Sequence, residues 1–472
     1  MKVINYITCF LIGFTAHNIY SQQNFTMYSM TKMGQAHYEN PAYHANGNVY
    51  IGIGLGSHSF GVNHSGFRLN KVIVPRGYDD SLTIDQEALK KSLWKRNYIM
   101  ADIRNELFGL GITVKKNYFS LSVTNRIMST IIYPKDLIVL ALEGNGRSLL
   151  GERANLDGLG AQIDGYVEYA LGYNREINDK LRVGGRLKFL SGYANLSTKK
   201  SKLGLTTDEE TFDLTLDGKF KFASSGFSSA LSLDSSNDEG FDYKNAFNFK
   251  NFGMAVDLGA TYKITDKIEV SASLLDLGFV RWKTQIASYE TDNLDFRFEG
   301  VDLNAFLQDS TDYIDRLADS LLSKVDKDFT HDPYSSALSA RFYLGAKYHV
   351  TDWFSAGITS YNQIVNNRLR SALILSGTIQ LKNWIGFTAN YSTYGRSWGN
   401  IGLGLTLRGG PIQFYVMTDN ILGVNYYGTK NIHASFGINL LIGKPDKDKV
   451  TQDSFGIKKS VQKKEKKTKK KE

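Results

Sequence analysis

The property that most limits what this chain can become is a two-residue alternation of apolar with small or polar side chains, sustained over segment after segment. Met254, Val256, Leu258, Ala260, Tyr262 and Ile264 share one parity, and Ala255, Asp257, Gly259, Thr261 and Lys263 share the other. Ile385, Phe387, Ala389 and Tyr391 alternate in the same way with Gly386, Thr388, Asn390 and Ser392. So do Phe436, Ile438, Leu440 and Ile442 with Ser435, Gly437 and Asn439. A period of two marks a strand with two unlike faces. In a soluble sandwich the polar face normally carries many Lys and Glu; here it is largely Gly, Ser, Thr and Asn. The 44 Gly, 27 Tyr and 27 Phe against 6 Pro agree, favouring twisted strands, tight turns and aromatic belts over helices.

The first residues, MKVINYITCFLIGFTAHNIYSQQ, place Lys2 before an apolar stretch of about a dozen residues and a small residue, Ser21; this reads as a secretory signal over 1–21. Cys9, the only cysteine, falls inside it, so a mature chain without thiol, disulfide or Cys-ligated metal is expected. No later stretch approaches the roughly 20 apolar residues of a membrane-crossing helix. Exported segments of roughly ten alternating residues separated by turns are instead the pattern of an outer-membrane barrel, with lipid on the apolar row and the bore lined by the other. The net charge of +9 is concentrated at one end, where residues 444–472 hold 12 Lys against five acids, 12 − 5 = +7. That tail is expected to be a solvated end, or a docking element for an acidic partner or lipid headgroups. Without interleaved aromatics it is no nucleic-acid site.

The turns set the topology. YKITDKI (262–268), YHVTDWF (348–354) and EINDKL (176–181) put Asn or Thr before Asp between strands, where short polar side chains bond the local backbone. VKKNYF (114–119) and LKNWI (381–385) look like further tight turns. Strands are expected near 58–69, 105–115, 118–131, 163–176, 181–195, 247–264, 268–283, 337–350, 353–366, 370–381, 384–394, 399–408, 411–419 and 432–442. That makes fourteen, an even number, with all tight turns at one end and the C-terminus in the periplasm. NVYIGIGLG (48–56) and a hairpin within 209–234 are left over. The expected fold is therefore an all-β, transmembrane antiparallel β-barrel spanning 48–443. Short helices are expected in its extracellular loops near 83–96, 134–144 and 301–325, the last with an acidic outer face.

One strand breaks its own rhythm. Ile268, Val270, Ala272 and Leu274 are apolar on even positions, then Leu275, Leu277 and Phe279 take over on odd ones. A β-bulge at Leu274–Leu275 accounts for the slip and turns Asp276 into the bore beside Asp257, with Arg281 as a compensating cation. A ligand or gate role and a purely structural polar pair are both open readings of these five residues. On the 163–195 hairpin, Glu168 is expected across from Arg186 or Lys188 as an internal salt bridge, with Arg182 on the same face; a basic lining that guides anions is the alternative. No GxSxG, HExxH or P-loop is present, and His44, His58 and His64 lack a ligand spacing, so neither catalytic residues nor a metal or cofactor are assigned.

Three stretches, NPAYHANGNVYIG (40–52), EYALGYNREINDKLRVGGRLKFLSGYANLST (168–198) and NFGMAVDLGATYKITDKIEVSASLLDLGFVRW (251–282), resemble a family of FadL-like outer-membrane barrels of unknown function from Gram-negative bacteria. Asn40-Pro41-Ala42 looks more distantly like the start of the PorV and PorP/SprF barrels of type IX secretion. The resemblance implies a fourteen-stranded channel for small hydrophobic molecules, a plug formed by 22–47, and a kinked wall strand opening sideways near Leu274. The alternative it leaves open is a non-transporting accessory barrel of a secretion, gliding or barrel-assembly complex, with partner proteins held by the 444–472 tail. This chain departs from an ordinary barrel in continuing past its last strand.

Overall fold

In lipid every backbone N–H and C=O must be bonded within the protein, so a sheet can cross a membrane only by closing on itself. The computed structural model describes residues 24–77, 81–227, 246–298, 330–365, 368–394 and 397–443, and in it the sheet closes. The strands are β1 (Val49–His64), β2 (Ile73–Pro75), β3 (Leu82–Ile84), β4 (Arg96–Val114), β5 (Asn117–Pro134), β6 (Arg153–Asn155), β7 (Gly160–Glu176), β8 (Leu181–Thr207), β9 (Leu214–Ser225) and β10 (Asn251–Lys263). They continue as β11 (Ile268–Trp282), β12 (Ile286–Phe298), β13 (Tyr334–Ala337), β14 (Arg341–His349), β15 (Phe354–Val365), β16 (Arg368–Leu381), β17 (Ile385–Tyr394), β18 (Ser397–Gly409), β19 (Ile412–Thr418) and β20 (Asn431–Ile442). Fourteen of them form an antiparallel ring: β1, β4, β5, β7, β8, β10, β11 and then β14 through β20. The seam is β20 against β1, running from Val49↔Ile442 to Asn63↔Asn431.

The first strand of the ring starts earlier than the alternation alone puts it. The 48–56 segment left over above joins the 58–69 segment as β1, across a register shift between Ile53 and Ser57, and the chain leaves the wall after His64 for a short helix, α2 (Leu69–Val72). Within 209–234, β9 is a strand, but outside the ring. β8 is 27 residues long and outruns the wall; beyond Asn195 it pairs with β9, which pairs with β12. Ion pairs Arg153–Asp217 and Arg297–Asp213, each 2.6 Å, lace this protruding sheet.

Six short connections (115–116, 177–180, 264–267, 350–353, 382–384 and 410–411) lie at one end, but not every short connection does: β15 and β16, and β17 and β18, are joined across only two positions each at the other end. Their chemistry is the one read from sequence. Asn178 Oδ1 accepts from the N–H groups of Lys180 and Leu181, both at 2.9 Å, and the Thr265 and Thr351 hydroxyls accept from Ile268 (3.1 Å) and Phe354 (3.0 Å). The long connections at the other end carry α3 (Gln86–Ser92) and α4 (Lys135–Glu143). Asp85 caps α3, accepting from Ala88 N at 2.9 Å. The helix expected over 301–325 lies outside the described residues, as do the signal segment and the Lys-rich tail.

The outer face is greasy. Leu373 and Leu375 are 47% and 48% exposed, as are Phe387 (39%) and Tyr391 (44%), while their neighbours Thr388, Asn390 and Ser392 are buried inside. Phe387 and Leu405 are cross-strand partners on this outer row. Trp353 and Trp384 stand exposed at the short-turn end, where an aromatic belt meets headgroups. Leu375 lies in mid-strand, so Leu375→Arg is expected to cost about 2–4 kcal/mol in denaturant unfolding from lipid vesicles. An unchanged midpoint would mean that this row does not face hydrocarbon.

Candidate functional site: a plugged bore with a buried ion network

A ring of fourteen strands encloses more space than wall side chains fill, and the chain fills it with its own N-terminal segment. Residues 24–46 run inside the ring and are almost all buried. The short helix α1 (Phe25–Ser29) is capped by Asp419, whose carboxylate accepts from Phe25 N (3.0 Å), Thr26 N (2.8 Å) and the Thr26 hydroxyl (2.6 Å). Phe25 sits edge-on to Tyr361 and Tyr394, at 5.0 and 5.3 Å between centroids, and Tyr28 stacks on Tyr343 at 4.6 Å. Further on, the Gln35 amide donates to Asn439 Oδ1 (2.6 Å) and Tyr50 Oη (2.9 Å), and the Tyr50 hydroxyl donates to Glu106 (2.5 Å). The Pro41 and Tyr43 carbonyls accept from Asn174 at 3.1 and 3.0 Å. Gly184 and Gly259 are required here: a Cβ at either would fall 2.2 Å from Pro41 O or Asn40 Oδ1.

The centre of the bore is ionic. Glu39, on the plug, is fully buried between two wall guanidiniums, Arg104 Nη1 at 2.6 Å and Arg341 Nη1 at 2.9 Å, and it also accepts from Tyr343 Oη at 3.1 Å. Arg341 reaches Asp276 as well, at 2.8 Å, and Lys188 contacts Asp276 (2.6 Å), Asp257 (2.8 Å) and Glu168 (3.3 Å). Arg186 closes the chain of charges on Glu168 (2.9 Å) and Asp257 (3.0 Å) and lies over the Tyr38 ring at 4.9 Å. Ions removed from water this far persist only because each meets opposite charge.

The structure brings several of the residues singled out from sequence together. Glu168, Arg186 and Lys188 meet inside the wall, and Asp257 and Asp276 lie together, the Asp276 N–H donating to Asp257 Oδ1 at 2.7 Å. The bulge is one residue further along than the alternation suggests. Val256 pairs with Leu277 and Leu258 with Leu274, so Leu275 and Asp276 together oppose Asp257, and Asp276 takes a left-handed φ of 60°. Before the bulge Leu274 faces outward; after it Leu277 (55%) and Phe279 (48%) do, while Leu275 is fully buried. Arg281 is a correction: it shares the outward parity of Leu277 and Phe279, is exposed, and the cations on Asp276 are Lys188 and Arg341. Arg182 pairs with Glu176 at 3.2 Å, nearer the turns.

Glu39, Arg104 and Arg341 were not singled out from sequence. The available signal was the inward run Asp102, Arg104, Glu106 on β4, three charges on one strand face that cannot be left unpaired in a bore. A Ser59–His433 contact of 3.2 Å is also present inside the bore. His433 Nδ1 accepts from Asp419 N at 3.1 Å, so the ring proton sits on Nε2, 3.0 Å from Asn24 Oδ1. That imidazole is fixed to the plug and offers Ser59 no base.

Above the ions, toward the long loops, the inward face changes character. Met128, Tyr166, Leu190, Ala255, Val280, Trp282 and Leu338 form one buried apolar cluster. It lies beside the bulge, where β11 changes neighbour: Ile268–Leu275 pairs with β14, Phe279–Trp282 with β13, and Leu338 N donates to Gly278 O (3.0 Å) between them.

Residues 41–419 match a family described as a family of unknown function, DUF5723. The chain belongs to that family. No curated protein is significantly similar to it in sequence. Among solved structures it is similar to the Ralstonia pickettii toluene transporter TbuX, at 9% identity and a TM-score of 0.41 over 87% of this chain and 94% of that one. It is similar also to the Pseudomonas putida toluene transporter TodX (9%, TM-score 0.37, covering 90% and 98%) and a Pseudomonas aeruginosa FadL homologue (9%, 0.37, 86% and 93%). The architecture described above rests on this chain's own strand pairing.

Arg341 holds plug and bulge at once, so Arg341→Met strips the guanidinium from two buried carboxylates. A loss of about 3–5 kcal/mol is expected, read as a lower unfolding midpoint of the gel-shifted folded form, with Glu39→Gln in the same chain restoring part of it. No recovery in the double variant would show that the Glu39 contact is not formed.

Proposed function

We propose that this protein is an outer-membrane barrel of a Gram-negative bacterium that binds small hydrophobic molecules at the inward apolar cluster beside the β11 bulge. On this reading the short turns and the C-terminus face the periplasm. The observation that carries the reading is the position of that cluster: a buried apolar patch on the inward face toward the long loops, at a place where a wall strand changes partners. A hydrophobic solute crossing along the axis would have to pass Glu39, Arg104, Arg186, Lys188 and Arg341, a route closed by desolvation cost alone. A sideways route at the bulge avoids them, because the lipid-facing Leu277 and Phe279 adjoin the inward Val280 and Trp282. Asp257 and Asp276 then act as the hinge pins of the gate, and Leu274 and Leu275 as the residues whose facing it exchanges.

The burial of residues 24–46 inside the ring supports a second reading, an accessory barrel through which nothing moves, docking partner proteins by its loops or its 444–472 tail. Binding separates the two. Trp282 lies in the cluster and serves as a reporter, with Trp282→Phe removing its signal from that of the other tryptophans. Titrating the detergent-solubilised protein with a small aromatic hydrocarbon is expected to give saturable quenching that the variant lacks. Absence of saturable binding in the wild type favours the accessory reading.

A further inference from the structure

The outer wall is not evenly covered. Antiparallel register aligns Ile112, Phe119, Tyr173, Gly185 and Leu258 in one row across β4, β5, β7, β8 and β10. Four are large and exposed, from Ile112 at 40% to Leu258 and Phe119 at 52%; the fourth place in the row, Gly185, has no side chain. The row above, from Leu110 through Leu187 to Val256, is unbroken. The gap between Tyr173 and Leu258 lies in a groove of about 650 Å³, open to the membrane, whose walls include Phe119, Leu171, Tyr173 and Leu187. That volume falls within the roughly 300–1,000 Å³ of small-ligand sites, yet the groove faces hydrocarbon.

Its lower rim is charged. The adjoining turns and strand ends carry Lys115, Lys116, Arg175 and Lys180 against Glu176 and Asp179, 4 − 2 = +2, with Lys116 3.7 Å from Glu176. Lys115, Lys116 and Arg175 are all exposed, and Arg175 is the cross-strand partner of Asn117, two residues below Phe119. Tyr173 Oη donates to Asn117 Oδ1 at 2.9 Å, placing a polar contact where the groove meets this rim.

We propose that the groove is a specific site for an anionic phospholipid, one acyl chain filling the space at Gly185 and the phosphate meeting Lys115, Lys116 and Arg175. The occupant follows from continuity: the groove is part of the lipid-facing belt, its walls are apolar, and the charges on its rim at headgroup height are net basic. The site is separate from the bore and does not depend on how the bore is used.

Gly185 supplies the test. A Cβ there would meet only Asp257 O at 3.5 Å and Leu258 Cδ2 at 3.7 Å, ordinary contacts, so Gly185→Phe fills the groove without disturbing the wall. The full-length protein is taken from nanodiscs of equal phosphatidylglycerol and phosphatidylcholine and read by native mass spectrometry, with the heat-dependent gel shift confirming the folded form. The wild type is expected to retain one phosphatidylglycerol, preferred over phosphatidylcholine by about fivefold or more. Gly185→Phe should lose the retained lipid. Replacing Lys115, Lys116 and Arg175 together by Gln should keep a lipid but abolish the preference. Equal retention by wild type and Gly185→Phe, or no headgroup preference in the wild type, overturns the proposal. Should Gly185→Phe fail to fold, Gly185→Leu, which fills part of the same space, is read in the same way.

Discussion

The hydrogen-bond demand of a backbone in hydrocarbon governs this structure. It forces the sheet to close, and the seam of β20 on β1 is where the demand is met. Closure has a second consequence. A ring of fourteen strands is too wide for its own inward side chains, so whatever fills the bore must be supplied separately, and the chain supplies residues 24–46.

The filling matches the inward faces: Phe25, Tyr28 and the plug methionines pack on inward aromatic and apolar side chains, and polar plug groups meet polar wall groups. Small inward residues such as Gly184 and Gly259 let the plug backbone approach the wall, and Asn174, Asp419 and Asn439 bond plug groups that would otherwise be stranded. Charge does the rest. Glu39 completes a set of wall cations that the wall carboxylates Glu168, Asp257 and Asp276 do not fully occupy, and Arg341 shares itself between plug and bulge. The plug is thus part of the wall's electrostatics rather than an object placed in it, and displacing it would leave Arg104 and Arg341 facing each other's charge.

Much of this was legible in sequence because β alternation has a period of two and turns have fixed chemistry. Phe387 and Tyr391 declare the lipid face, the Asn178 and Thr265 turns declare one end, and the parity slip from Leu274 to Leu277 declares a bulge that lies one residue further on. Asp257, Asp276, Glu168, Arg186 and Lys188 follow from parity, since adjacent strands bring same-face residues together. Other features did not follow. The Ile53–Ser57 irregularity hid one strand as two pieces, because a register shift breaks the alternation that identifies a strand. Arg281 was misplaced by counting proximity in sequence instead of facing, although the bulge that turned Asp276 inward also turned Arg281 out. Glu39 and Arg341 lie 302 residues apart, and no local pattern links them.

The central claim is a closed membrane barrel whose bore is sealed by its own N-terminal segment. Planar-bilayer recording of the unmodified protein tests it most directly. A sealed bore predicts successful insertion, verified by protease protection of the strands, with no steady ionic current at moderate voltage. A stable open-pore conductance from the same inserted protein would contradict the account.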